Sequence, residues 1–143
     1  MSVQQISVFL ENRTGQLAEV ARVLADQGVD MCAISIAETT DYGVLRLIVD
    51  DTEKATGILL ARGFILSMTP VTVVAVPDRA GGLAPVLEAI ADGALSIEYM
   101  YSLFTHREGK AYMVFRVGDE ARFKALLSTH GLQLADKAEL GLK

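Results

Sequence analysis

The chain contains one cysteine, so it can form no internal disulfide, and a reducing compartment is the simplest setting for it. It contains no tryptophan and only 4 tyrosines, which makes any grouping of aromatic residues informative. It has no run of lysine or arginine, and its net charge of −5 is the wrong sign for a nucleic-acid partner, which calls for a basic face. No apolar stretch is long enough to span a bilayer, and Met-Ser-Val-Gln-Gln at the start lacks the basic-then-apolar signature of a secretion signal. The expectation is a cytoplasmic protein, acting neither on membranes nor on nucleic acid. There is no Walker loop, dinucleotide fingerprint or His-Glu-x-x-His motif. His106 and His130 stand apart with no cysteine or acidic partner at ligand spacing, so neither a metal nor a cofactor is expected. Cys32 has no histidine near it in sequence and reads as a buried structural thiol.

Apolar residues are plentiful, at 51% of 143, enough for one domain or two small ones. Their pattern decides between these. Ile6, Val8 and Leu10 alternate with Gln5, Ser7 and Phe9, which is strand periodicity. Glu11-Asn12-Arg13-Thr14-Gly15-Gln16-Leu17 then turns into a helical pattern of Leu17, Val20, Ala21 and Leu24, which Gly28 stops. Strands follow at Met31 to Ala37 and Val44 to Val49, separated by the break Thr39-Thr40-Asp41-Tyr42-Gly43. Asp50-Asp51-Thr52-Glu53 opens a second helix that Gly63 ends, and Phe64 to Met68 is a fourth strand.

Thr69-Pro70 punctuates the chain, and the same order begins again. Val71 to Val76 is a strand, Pro77 to Leu83 the turn, and about Gly81 to Asp92 a helix. Ser96 to Phe104 and Lys110 to Val117 are strands flanking a hairpin at Thr105 to Gly109. Asp119 to Thr129 is a helix stopped by Gly131, and Leu132 to Leu134 is a short last strand. Spacing supports the repeat. Arg13 and Arg79, Gly15 and Gly81, and Leu17 and Leu83 are each 66 apart, whereas Val49 and Val117, and Gly63 and Gly131, are 68 apart. A two-residue insertion in the second hairpin, near His106-Arg107-Glu108-Gly109, accounts for the change. The fold class is therefore α+β: two tandem ferredoxin-like βαββαβ units, residues 1–69 and 70–143, each an antiparallel sheet with two helices on one face. The other face of each sheet is expected to pack on the other copy or on a second chain.

The element order, with Asn-Arg-x-Gly-x-Leu at the first turn and Gln-Gly-Val-Asp before the second strand, resembles the ACT domain, a small-ligand-binding regulatory module. Asp78-Arg79-Ala80-Gly81-Gly82-Leu83 is similar to the family's Asp-Arg-Pro-Gly-x-Leu form, so nearly the whole chain resembles two tandem ACT domains. The first copy resembles in particular the serine-sensing ACT domain of phosphoglycerate dehydrogenase, which carries Glu-Asn-Arg-Pro-Gly at this turn. The resemblance implies amino-acid binding where two ACT domains meet, the turn of one lying close to the second strand of its partner. It places Asn12 at the dehydrogenase's ligand-binding Asn, Asp30 at a second Asn and Leu10 at a ligand-contacting His. Asp78 and Ser96 are the counterparts of Asn12 and Asp30 in the second copy, and Thr14 and Ala80 replace the usual proline. Leu10 makes the site more apolar than a serine sensor's, so branched-chain and aromatic amino acids are candidate ligands.

Physically, backbone N–H groups from Arg13 through Thr14, Gly15 and Gln16 to Leu17 can take a carboxylate. Asn12 offers donor and acceptor, and Asp30 can pair with an ammonium. Arg79, Ala80, Gly81, Gly82 and Leu83 repeat the arrangement beside Asp78. An Asn or Asp before a helix is equally an ordinary N-cap, and glycine in a turn is common. Arg13 and Arg79 sit where a cation is unfavourable beside a helix start; each either faces an anion or simply faces solvent or a partner domain. Tyr99 and Tyr101 share a strand face with Tyr112 beside them, as a pocket wall or as cross-strand packing. The reading is a non-enzymatic amino-acid-binding regulatory protein, a homodimer, acting on a separate metabolic enzyme. The alternatives are a protein–protein interaction module without a ligand, and a small enzyme, which would need titratable residues converging in one pocket.

Overall fold

The computed structural model describes residues 3–11, 13–38 and 41–143, with the side chain of Glu38 excepted. Asn12, Thr39 and Thr40, named above in the first turn and the first hairpin, lie outside the described residues. The chain divides into two compact units. One comprises Gln4–Thr69 with Gly141–Lys143, the other Pro70–Leu140 with Val3.

In the first unit the elements are β1 (Val3–Glu11), α1 (Gln16–Asp26), β2 (Met31–Glu38), β3 (Tyr42–Val49), α2 (Thr52–Ala61) and the opening of β4 (Ile65–Pro77). The strand order is β2-β3-β1-β4. The register Ile6↔Leu47↔Ile34 aligns the apolar face on which both helices pack. Its core joins Ile6, Val8 and Leu10 to Val20, Leu24, Leu45, Leu47, Leu59 and Phe64. The polar-reading face of β1 is not simply wet: Gln5 and Ser7 are also buried, and the Gln5 amide donates to the Ser7 hydroxyl at 2.9 Å.

The second unit repeats the plan with the rest of β4, α3 (Ala84–Asp92), β5 (Ile97–Ser102), β6 (Lys110–Val117), α4 (Glu120–Thr129) and β7 (Gln133–Leu134). Its order is β5-β6-β4-β7, all antiparallel. Val74, Val76, Val86, Ile90, Phe115, Phe123 and Leu127 form its core. Glu108 and Gly109, both with positive φ, make a two-residue hairpin closed by paired hydrogen bonds between Arg107 and Lys110. Tyr99 and Tyr101 stack with ring centroids 6.4 Å apart, and the β5–β6 register puts them on the face that also carries Tyr112.

The helix stops follow the glycines. Gly28, Gly63 and Gly131 adopt positive φ, and the next residue's N–H reaches back to the helix, Val29 to Leu24, Phe64 to Leu59 and Leu132 to Leu127. Ala94 takes this role after α3, with φ 54.

Two expectations need correction, and one element is added. Thr69-Pro70 does not end a strand: β4 runs unbroken from Ile65 to Pro77. Proline only removes a donor and favours an extended residue before it, so a strand passes through wherever that N–H is not needed. The second copy's first helix starts at Ala84 rather than about Gly81, because Gly81, Gly82 and Leu83 continue the turn. The chain also does not finish at the last strand. A short helix, α5 (Lys137–Leu140), follows, and Glu139 accepts a hydrogen bond from buried Tyr112 at 2.9 Å. Burial of the phenol, followed by the neighbouring Glu139 carboxylate, pushes the Tyr112 pKa up.

Candidate functional site

The four long helices start in two different ways. Asp51 caps α2 by accepting from the Lys54 N–H at 3.2 Å, and Asp119 caps α4 by accepting from the Arg122 N–H at 3.0 Å. The helices after the two candidate turns have no such cap. α1 is preceded by Gly15, in the left-handed region at φ 86, and α3 by Leu83, neither with a side-chain hydrogen bond to the helix start. The starts of α1 and α3 therefore lack the capping carboxylate that α2 and α4 carry, although Glu19 stands in the first turn of α1.

Beside each of these turns lies a cavity, and the two are built from corresponding residues. The first, of about 220 Å³, is lined by Phe9, Leu10, Glu11, Gln16, Asp41, Tyr42, Gly63, Phe64 and Ile65. The second, of about 280 Å³, includes Ala75, Val76, Pro77 and Gly82, each 66 residues on, and Gly131, Leu132 and Gln133, each 68 on. The chemistry has diverged. Gly82 stands in the place of Gln16, Pro77 in that of Glu11, and Arg79 joins the second lining. Gly82 is there for space: a Cβ on it would overlap the Pro77 carbonyl oxygen, around which the turn closes through Arg79 N–H to Pro77 at 2.9 Å and Gly82 N–H to Arg79 at 3.0 Å.

Gln16 is 7% exposed, and among the described residues its Oε1 has no hydrogen-bond partner. A buried acceptor left without a donor costs about 1–3 kcal/mol. It lines the first cavity together with the exposed residues Phe9, Tyr42 and Ile65.

The other expected site residues divide by position. Arg13, Thr14, Gly15 and Leu17 form the first turn and are exposed. Arg13 is offset by carboxylates of its own unit, Glu11 at 3.6 Å and Glu19 at 3.9 Å, both loose surface pairs worth little. Asp30 does not join them within its unit. The register sets it eight residues along the sheet from the level of Leu10, roughly 25 Å away. There its N–H donates to Asp50 Oδ1 at 2.9 Å and its carbonyl accepts from the Asp50 N–H at 3.1 Å. Ser96, just before β5, likewise lies at the opposite end of its sheet from Asp78, Ala80 and Gly81. Asp78 is engaged: its carboxylate meets His106 Nδ1 at 2.9 Å, and its N–H donates to the Gly109 carbonyl at 2.8 Å. The insertion in the second hairpin thus reaches the second turn. Sequence reasoning missed Phe9, Asp41, Tyr42, Phe64 and Ile65 as cavity residues. The matched pair Gly63 and Gly131 was the signal that the turn after the second helix belongs to the repeated site.

Cys32 is buried, and burial followed by the Asp30 and Asp50 carboxylates pushes its thiol up to about 11. At pH 8 very little thiolate forms, so iodoacetamide is expected to alkylate Cys32 in the native protein at least ~100-fold more slowly than free cysteine, with the rate rising as pH approaches 11. Mass spectrometry of the time course measures this, and a rate near that of free cysteine would contradict the buried thiol. Among the described residues no group of three His, Cys, Asp or Glu is placed to hold a metal ion. No helix among them is long and apolar enough to cross a membrane.

A family model described as an ACT domain pair matches residues 1–142. The chain belongs to the ACT domain pair family. A solved protein from Bacteroides thetaiotaomicron is similar to this ACT pair at 35% identity, over 99% of this chain and 96% of that one, with a TM-score of 0.89. The regulatory subunit of aspartate kinase from Thermus thermophilus, in its ligand-free form, shares the fold at 19% identity, 90% and 89% coverage and a TM-score of 0.63. The corresponding subunit from Thermus flavus does so at 17% identity, 92% coverage of both chains and a TM-score of 0.58. The comparison with curated proteins gave no match. Membership accords with two ferredoxin-like units of antiparallel strands and a small-molecule-sensing regulatory role.

Proposed function

We propose that this ACT pair is a non-catalytic sensor of an amino acid, held at the strand-to-helix turns, that passes the binding event to a separate metabolic enzyme. The observation that carries the reading is the repeated cavity beside an uncapped helix start in both units. An amino acid's carboxylate supplies the missing cap at the N–H groups of Thr14, Gly15 and Leu17 or of Ala80, Gly81 and Leu83, since those of Arg13, Gln16, Arg79 and Gly82 close the turns themselves, and the cavity accepts the side chain. In the sequence Asn12 and Asp78 belong to the turns, and Asp30 or Ser96 contributes only from a second chain, which favours a homodimer. The two aspartate kinase regulatory subunits of like fold agree with a role exercised on another chain. Regulation then follows from linkage: a ligand that binds one arrangement better shifts the population toward it, and the enzyme reads the shift.

Thermal denaturation of the purified chain against the twenty amino acids, each at millimolar concentration, tests this. One amino acid or a related few should raise the melting temperature by mass action, and Gly15→Val should abolish the rise. Gly15 has φ 86, which a β-branched residue does not accept. If none raises it, amino-acid sensing fails and a ligand-free interaction module is favoured, for which exposed Phe9, Tyr42 and Ile65 offer an apolar surface.

A further inference from the structure

We infer that the first unit's cavity selects a primary alkylammonium group. The inference rests on the sensing role proposed above and names the ligand chemistry of one of its two pockets. Three features converge. First, the lining has two carboxylate residues, Glu11 and Asp41, and no lysine or arginine; Arg13 pairs loosely with Glu11 from outside it. Second, Gln16 Oε1 is a buried acceptor with no donor among the described residues, so the cavity lacks a hydrogen-bond donor at a fixed point. Third, Phe9 and Tyr42 place aromatic rings in the same lining, where a cation gains from the ring face. An ammonium meets all three, since it carries three donors, no acceptor and a positive charge. A carboxylate would be repelled from this cavity, but it is suited to the α1 helix start next to it. A molecule with a carboxylate at one end and an alkylammonium at the other spans both. This departs from the branched-chain or aromatic ligand that Leu10 alone pointed to.

The second unit supplies the internal contrast. Gly82 replaces the Gln16 amide, Pro77 replaces the Glu11 carboxylate, and Arg79 brings a positive charge into the lining. Among the described residues that lining has no carboxylate and carries Arg79, so one such group is expected per chain.

The test is calorimetric titration and melting of the full chain with three probes. These are L-lysine, norleucine, which keeps the same carbon chain, carboxylate and α-ammonium but lacks the side-chain ammonium, and pentane-1,5-diamine, which has alkylammonium groups without the carboxylate. L-lysine should bind at least ~10-fold more tightly than norleucine, the scale of a hydrogen bond to a charged group. Gln16→Leu should lose at least ~10-fold of the affinity for L-lysine while melting no lower than the parent without ligand, because it removes the unpaired acceptor. Asp41→Asn, at an exposed position where folding is not at stake, should also weaken it. Binding of the diamine as tight as that of L-lysine would support the ammonium site and assign it to a free amine rather than an amino acid. Norleucine binding as well as L-lysine, or unchanged L-lysine binding in both variants, would overturn the inference. If neutral amino acids raise the melting temperature and neither L-lysine nor the diamine does, sensing survives and the ammonium site falls. If no amino acid and no amine has any effect, both fail.

Discussion

Gly82→Ala is expected to destabilise the second unit by about 2–4 kcal/mol, a fall of ~10 °C in its melting temperature. The cause is space and not backbone freedom. Gly82 is buried, and an added Cβ would sit on the Pro77 carbonyl oxygen and crowd the carbonyl of Arg79. Both obstacles are backbone atoms of the same turn, so relief requires the turn to open and to give up its closing hydrogen bonds. Its neighbour is the natural control. Gly81 has φ 81, but a Cβ added there would meet nothing within 4 Å, so Gly81→Ala should cost only about 1–2 kcal/mol, the left-handed penalty. Differential scanning calorimetry of both variants measures the contrast. A Gly82→Ala protein melting as high as Gly81→Ala would show that the turn is not closed on Pro77.

Phe123→Ala should be costlier still, about 3–5 kcal/mol. Phe123 is fully buried and meets Phe115 edge-on, with ring centroids 5.4 Å apart and planes at 67°. Truncation leaves a void against Leu127, Val74 and Phe115 that rigid strands cannot close. The loss should appear in the melting transition and as faster amide exchange in β6 and α4. Phe123→Leu should recover most of it, since it refills much of the volume. A cost under ~1 kcal/mol for the alanine would mean that α4 is not held by this ring.

The architecture was legible because it rests on signals that short stretches carry by themselves. The alternation through Ile6, Val8 and Leu10 and the glycine stops at positions 28, 63 and 131 are local, and the two-residue change of spacing located the hairpin insertion. The errors arose where a local signal admits two outcomes. Pro70 breaks a strand only if its missing N–H is needed, and the sequence does not say whether it is. Gly81-Gly82 aligns with Gly15-Gln16 in the repeat, yet two glycines in succession favour turn over helix, and α3 starts later. The cavity linings were least legible. Asp41 and Tyr42 come from a hairpin, and Gly63 to Ile65 from a turn some fifty residues beyond Gln16, so only tertiary pairing brings them to the first turn. The orphaned oxygen of Gln16 has no sequence signature, because glutamine at a helix start is ordinary.

The pairing of Gln16 with Gly82 has a genetic consequence. In a protein assembled from identical single-domain chains, every coding change falls on all its pockets together, so one pocket cannot be altered while its twin is kept. Here the two pockets are separate stretches of one reading frame. A change at codon 16 rewrites one and leaves the other as it was. One pocket is thereby free to acquire a new ligand, or to lose binding and serve as scaffold, while its sister stays under the older selection.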